Sequence, residues 1–157
     1  MHKISIVITV AAALVATTTY ANELPSGASA NDQAQMAEVI KQYAASMKPG
    51  TASLCAPVAV ITDVAAPYLW NGPQACEIWR KEILAELGKR GITNPRFELS
   101  PPLQFMVSGD RGYAAYTVDT VATKDNKEHH APGNTWTLAM RKIDGVWKIA
   151  SWTYTRR

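Results

Sequence analysis

Near its end the chain reads Trp136-Thr137-Leu138-Ala139-Met140-Arg141-Lys142-Ile143-Asp144-Gly145-Val146-Trp147-Lys148-Ile149-Ala150-Ser151-Trp152-Thr153. Two apolar runs flank Asp144-Gly145, a dipeptide that tolerates the positive φ angles of a two-residue hairpin turn. In an extended chain alternate residues share a face, so Trp136 and Met140 fall on one side of the first run. The stretch predicts two long antiparallel strands, at about 135–143 and 146–155.

Working towards the N-terminus, further strands are expected at about 96–107 and 112–124, joined by the looser turn Ser108-Gly109-Asp110. Pro101-Pro102 cannot donate to a ladder, which predicts an edge position or a bulge. The polar stretch Lys124 to Gly133 reads as a connection. Before Asn94 the pattern changes to helix. Met36, Val39, Ile40, Tyr43 and Met47 recur every three or four residues behind an Asp32/Gln35 capping pair, so a helix is expected over 32–47, ended by Pro49-Gly50. Pro73 suits the first turn of a second helix with one face at Cys76, Trp79, Ile83 and Leu87, stopped by Gly91. Between the helices a short helical turn near 52–55 and one strand over 58–63 are predicted, and Pro67 and Gly72-Pro73 bracket a loop. Helices first and a strand meander afterwards define an α+β chain.

His2-Lys3, an apolar run over 4–15 and Thr19-Tyr20-Ala21 form the three parts of a cleavable secretory signal, expected over residues 1–21. Thr17, Thr18 and Thr19 dilute the run before it reaches the length of a membrane span. Residues 22–30, with Pro25, Gly27 and Ser29, are read as a flexible mature N-terminus, and 31–157 as one domain. A periplasmic or secreted location is expected, with no membrane attachment after cleavage. The formal charge is only +3 in 157 residues, with the basic residues scattered, so nucleic acid is not an expected partner. Cys55 and Cys76 are the only cysteines, and an isolated pair in an oxidising compartment is read as a disulfide, with two buried thiols as the alternative.

The order of elements resembles the cone-shaped fold shared by nuclear transport factor 2 and the SnoaL-like polyketide cyclases, to which ketosteroid isomerase also belongs. The resemblance rests on Ala59 to Asp63 with Trp70-Asn71-Gly72 behind it, and on Thr137, Arg141, Asp144-Gly145 and Trp147-Lys148-Ile149 in the final hairpin. It implies two to three N-terminal helices packed in a strongly curved, mostly antiparallel sheet, an open cone for small apolar ligands, and homodimers.

On that resemblance Asp63 stands where ketosteroid isomerase carries its general base, and Tyr43 could donate to a developing oxyanion. The match is incomplete, because Thr135 to Met140 supplies no second acid and Thr153 stands where a histidine often occurs. The plain alternative for Asp63 is an aspartate capping a turn at a strand end. Adjacent rings point to opposite sides of an extended chain, so His129 and His130 do not easily share a metal. His130 is a candidate cone-facing group if its strand begins early, and a solvated loop residue otherwise. Trp70, Trp136 and Met140 are candidate pocket-lining residues, with core packing as the alternative.

No metal, nucleotide or nucleophile motif is present, so neither cofactor nor metal is expected. The leading expectation is an exported domain binding a small, largely apolar molecule, as a homodimer formed through the open sheet face. The alternatives are a cofactor-independent isomerase or lyase using Asp63 with Tyr43, and a non-catalytic dimerisation or interaction module with a vestigial cavity.

Overall fold

The structure, a computed structural model, describes residues 30–45, 47, 48 and 50–157; the expected signal peptide and the segment 22–29 lie outside them. Helix α1 spans Ala30–Ala45 and buries Met36, Ile40 and Tyr43 of the expected stripe together with Ala44, whereas Val39 is half-buried and Met47 lies beyond the helix. A single 3-10 turn, Thr51–Leu54, leads into β1, Cys55–Thr62. Strand β2 (Leu69–Pro73) and helix α2 (Ala75–Lys89) follow. Four long strands complete the chain: β3 (Ile92–Ser108), β4 (Arg111–Lys124), β5 (Lys127–Ile143) and β6 (Val146–Thr155). None of the described helices is long and apolar enough to cross a membrane.

The strands form one six-stranded sheet in the order β2-β1-β6-β5-β4-β3. Every neighbouring pair is antiparallel except β1 with β6. Both helices pack on one face of this sheet, where Trp136, Leu138, Met140, Trp147, Ile149 and Trp152 are almost completely buried. Asp144 and Gly145 adopt φ 49° and 78°, as the hairpin requires. Pro101-Pro102 lies on the edge strand β3, and the ladder to β4 slips on both sides of Pro102.

Three segments differ from expectation. The loop read between Pro67 and Pro73 contains β2, whose five residues pair with Val58 to Thr62. Pro73 closes that strand, and α2 begins beyond Gln74. The connection read over 124–133 is a hairpin instead, turning at Asp125 and Asn126 (φ 51° and 57°), and β5 starts at Lys127. Residues 127–132 are exposed on both faces, so no alternation of polarity marks this strand in the sequence.

Cys55 and Cys76 are bonded to each other, with Cα atoms 6.5 Å apart, and tie the start of β1 to the first turn of α2. At the other end of the core, the Asp32 carboxylate takes hydrogen bonds from Lys142 Nζ (2.6 Å) and the Trp147 indole N–H (3.1 Å). The expected helix cap is thus an anchor between α1 and the final hairpin.

Candidate functional site

The inside of the cone, where the helices meet the sheet, holds an aromatic cluster. Trp136 stacks on Tyr43 with ring centres 6.0 Å apart, and Phe97 lies 5.2 Å from Trp136. Trp152 meets the edges of Trp79 (4.7 Å) and Trp136 (6.1 Å). Met140 is buried beside Gly112, against which the Met36 thioether packs so closely that a Cβ at Gly112 would collide with it. Between Tyr43, Met47, Thr51, Trp79, Arg80 and Phe97 the cavity that remains is about 10 Å³, room for no more than one water. Around Tyr43 the described side chains therefore fill the interior, and the larger concavity, about 510 Å³ between Ser53, Pro57, Gln74, Ile143, Val146 and Lys148, is lined by neither Tyr43 nor Asp63.

Two polar pairs sit in this apolar setting. Asp63, just beyond β1, accepts the Trp79 indole N–H at 2.9 Å through one oxygen and the Ala65 amide at 3.1 Å through the other. The second contact closes the turn that reverses the chain into β2. Tyr43 Oη accepts the Trp152 indole N–H at 3.1 Å. Burial pushes the Tyr43 phenol well above its ordinary value; the Trp152 hydrogen bond opposes this, and the Asp63 charge adds to it. Tyr43 is thus a neutral phenol, and the expected acid–base pair does lie around one region of the core, each side chain already engaged by a tryptophan.

Arg80, which sequence reasoning missed, lines the cavity from α2 and is almost fully buried. Its guanidinium grips Glu77 at 2.9 and 2.5 Å, which holds it firmly cationic. Its place one residue after Trp79, on the helix face of Cys76, was the available signal. Trp70 is buried, but it donates to Glu82 on α2 at 2.6 Å and does not line the cavity. The indole N–H of Trp136 is fully buried with no hydrogen-bond partner among the described residues.

His130 lies outside the cone. Its strand does begin early, but the ring sits on the helix-free face of the sheet, bonded to Asp119 (2.7 Å) and Glu128 (3.2 Å). The neighbouring Asp119 carboxylate raises its pKa above the usual histidine value.

No family model matches the chain, and none of the curated proteins matches it in sequence. Solved structures match it closely in shape. Aln2 from a Streptomyces species superposes with a TM-score of 0.66 at 16% identity, over 85% of this chain and 94% of that one. An NTF2-like protein with a cystatin-like fold from Novosphingobium aromaticivorans gives 0.64 at 15%, over 79% and 80% of the two chains. A nuclear transport factor 2 (NTF2-like) superfamily protein from Salmonella enterica serovar Typhimurium gives 0.63 at 16%, over 79% and 89%. The chain has the NTF2-like fold, a cone-shaped α+β architecture of two helices and a curled six-stranded sheet.

Proposed function

We propose that this is an exported, non-enzymatic NTF2-like domain that works by pairing with a second copy through the helix-free face of its sheet. The observation that carries the reading is the filled cone. With about 10 Å³ left beside Tyr43, a substrate has no space against that phenol unless the helices move. The Asp63 carboxylate, moreover, already satisfies an indole and a backbone amide.

The opposite face is suited to pairing. Two rows of neighbours cross five strands, Val60-Ser151-Ala139-Tyr113-Met106 and Thr62-Thr153-Thr137-Ala115-Gln104, without one charged side chain. Depletion of charge marks the centre of protein interfaces. An uncharged belt also lets the same patch meet itself across a two-fold axis without bringing like charges together. Val60 and Met106 lie exposed in it at 42% and 39%. The disulfide and the N-terminal pattern support export to an oxidising compartment.

Light scattering behind size exclusion tests this reading. A dimer is expected, and Thr137→Lys, which places a charge at the centre of the belt, should give a folded monomer. A wild-type monomer at high concentration would sink it.

Binding of a small apolar molecule in the cone is the second reading, favoured by the orphaned Trp136 N–H. A ligand bearing one acceptor would relieve a buried donor whose isolation costs about 1–3 kcal/mol. Native mass spectrometry after incubation with host extract tests it: a specific retained mass, left unchanged by the wild type and by Asp63→Asn, is the expected signature. Conversion by the wild type alone would instead establish an isomerase or lyase using Asp63.

A further inference from the structure

We propose that Glu98, Asp119 and His130 form a divalent transition-metal site on the helix-free face of the sheet. The three residues come from three adjacent strands. Glu98 and Asp119 are cross-strand partners in β3 and β4, and His130 lies on β5 opposite Val121, two residues along β4 from Asp119. One ligand atom from each side chain lies within 4.8 Å of the others. Rotamer shifts on the order of 1 Å would bring them to the roughly 2.0–2.2 Å that imidazole nitrogen and carboxylate oxygen take around zinc.

Two observations separate this group from an ordinary solvated ion pair. First, Asp119 Oδ1 is buried without a hydrogen-bond partner, while its Oδ2 holds the imidazole at 2.7 Å. A carboxylate oxygen so placed has lost water and gained nothing in return, whereas a cation shared with His130 would satisfy it. Second, three carboxylates converge here, and among the described residues Arg96 is the one guanidinium or ammonium group paired with them, bridging Glu98 and Glu128 at 2.8 Å each. Three carboxylates against Arg96 leave a net charge of −2 with His130 neutral and −1 with it protonated, which a divalent ion would offset. Glu128, 3.2 Å from the imidazole, is placed to receive its other nitrogen and orient the ring, as second carboxylates do around metal-bound histidines. A mixed imidazole and carboxylate set suits zinc and its first-row neighbours better than calcium or magnesium.

Adjacent ligands in the sequence were not available to reveal this site, since its members lie on three strands and only the sheet register assembles them.

Zinc chloride titrated calorimetrically into the tag-free protein tests the assignment, with circular dichroism confirming that each variant is folded. One ion per chain should bind saturably, at least about tenfold more weakly after His130→Ala and after Asp119→Asn. His129→Ala should leave binding unchanged, and the histidine side-chain nitrogen resonances should show His130 as the ring that shifts. Absence of saturable uptake at millimolar zinc overturns the site. So does uptake that survives both ligand substitutions or that follows His129.

Discussion

The Trp79 indole N–H donates to the Asp63 carboxylate across 2.9 Å, joining the middle of α2 to the loop between β1 and β2. Removing that acceptor leaves a buried donor unpaired and also opens the turn held through the Ala65 amide. Asp63→Ala should therefore lower stability by about 1–3 kcal/mol, and Asp63→Asn by less, because its carbonyl oxygen can still accept one bond. Urea denaturation of the two variants measures this; equal midpoints for wild type and Asp63→Ala would show that the pair holds nothing.

The two central tryptophans differ in one respect. Trp152 donates to the buried Tyr43 hydroxyl, whereas the Trp136 N–H has no partner among the described residues. Replacement by Phe removes similar area at either site, but only at 152 does it also break a hydrogen bond. Trp152→Phe should consequently be the more destabilising by about 1 kcal/mol. Parallel denaturation curves check the order, and the reverse order would contradict the assignment of the donor.

Alkaline behaviour should expose Tyr43. Its folded pKa is raised from the ordinary 10.0 chiefly by burial, so the unfolded chain loses this proton first as pH rises. The stabilisation is complete below about pH 10 and is lost progressively above it. Stability measured between mildly and strongly alkaline pH should fall, and Tyr43→Phe should flatten the fall, with Tyr116, also raised by burial, keeping part of it. An unchanged slope in Tyr43→Phe would argue against a buried phenol.

The Cys55–Cys76 bridge closes a loop with a sequence separation of 21. In the chain-entropy picture a loop of this length contributes about 3 kcal/mol. Reduction, or the double change Cys55→Ser with Cys76→Ser, should shift the urea midpoint accordingly, and the oxidised protein should show no free thiol towards a thiol reagent.

The His130 imidazole, raised by Asp119, should titrate above the ordinary histidine value in metal-free NMR experiments. Asp119→Asn should bring it down. Because the folded value is the higher one, the ion pair favours the folded state below the unfolded histidine pKa of about 6.5, and that preference disappears as pH rises through the folded value. A midpoint indifferent to Asp119 would remove the pair from the solution structure.

Parts of this architecture are legible without coordinates because each rests on local chemistry. The apolar stripe from Met36 to Tyr43 makes α1 amphipathic, Asp144-Gly145 can take two positive φ angles, and Pro101-Pro102 cannot sit in the middle of a ladder. Strand β2 was not legible. Leu69-Trp70-Asn71-Gly72-Pro73 carries little strand preference of its own and is extended because β1 pairs with it. The first third of β5 was hidden for a related reason, as a strand wet on both faces shows no alternation.

The candidate site divides along the same line. Asp63 and Tyr43 could be named from a resemblance, but not the tryptophans that occupy them, since Trp79 and Trp152 lie 16 and 109 residues away. The sequence by itself determined the two helices, the β3–β4 and β5–β6 hairpins, the α+β order and the one possible cysteine pair, because periodicity, turn chemistry and the presence of only two thiols are local or countable. Tertiary structure alone decided that the cone is filled, that Arg80 lies buried at its wall and that His130 meets Asp119 on the far face. Those outcomes depend on strand register and on whether side-chain volume matches the space a curved sheet encloses, and neither quantity exists until distant segments have packed.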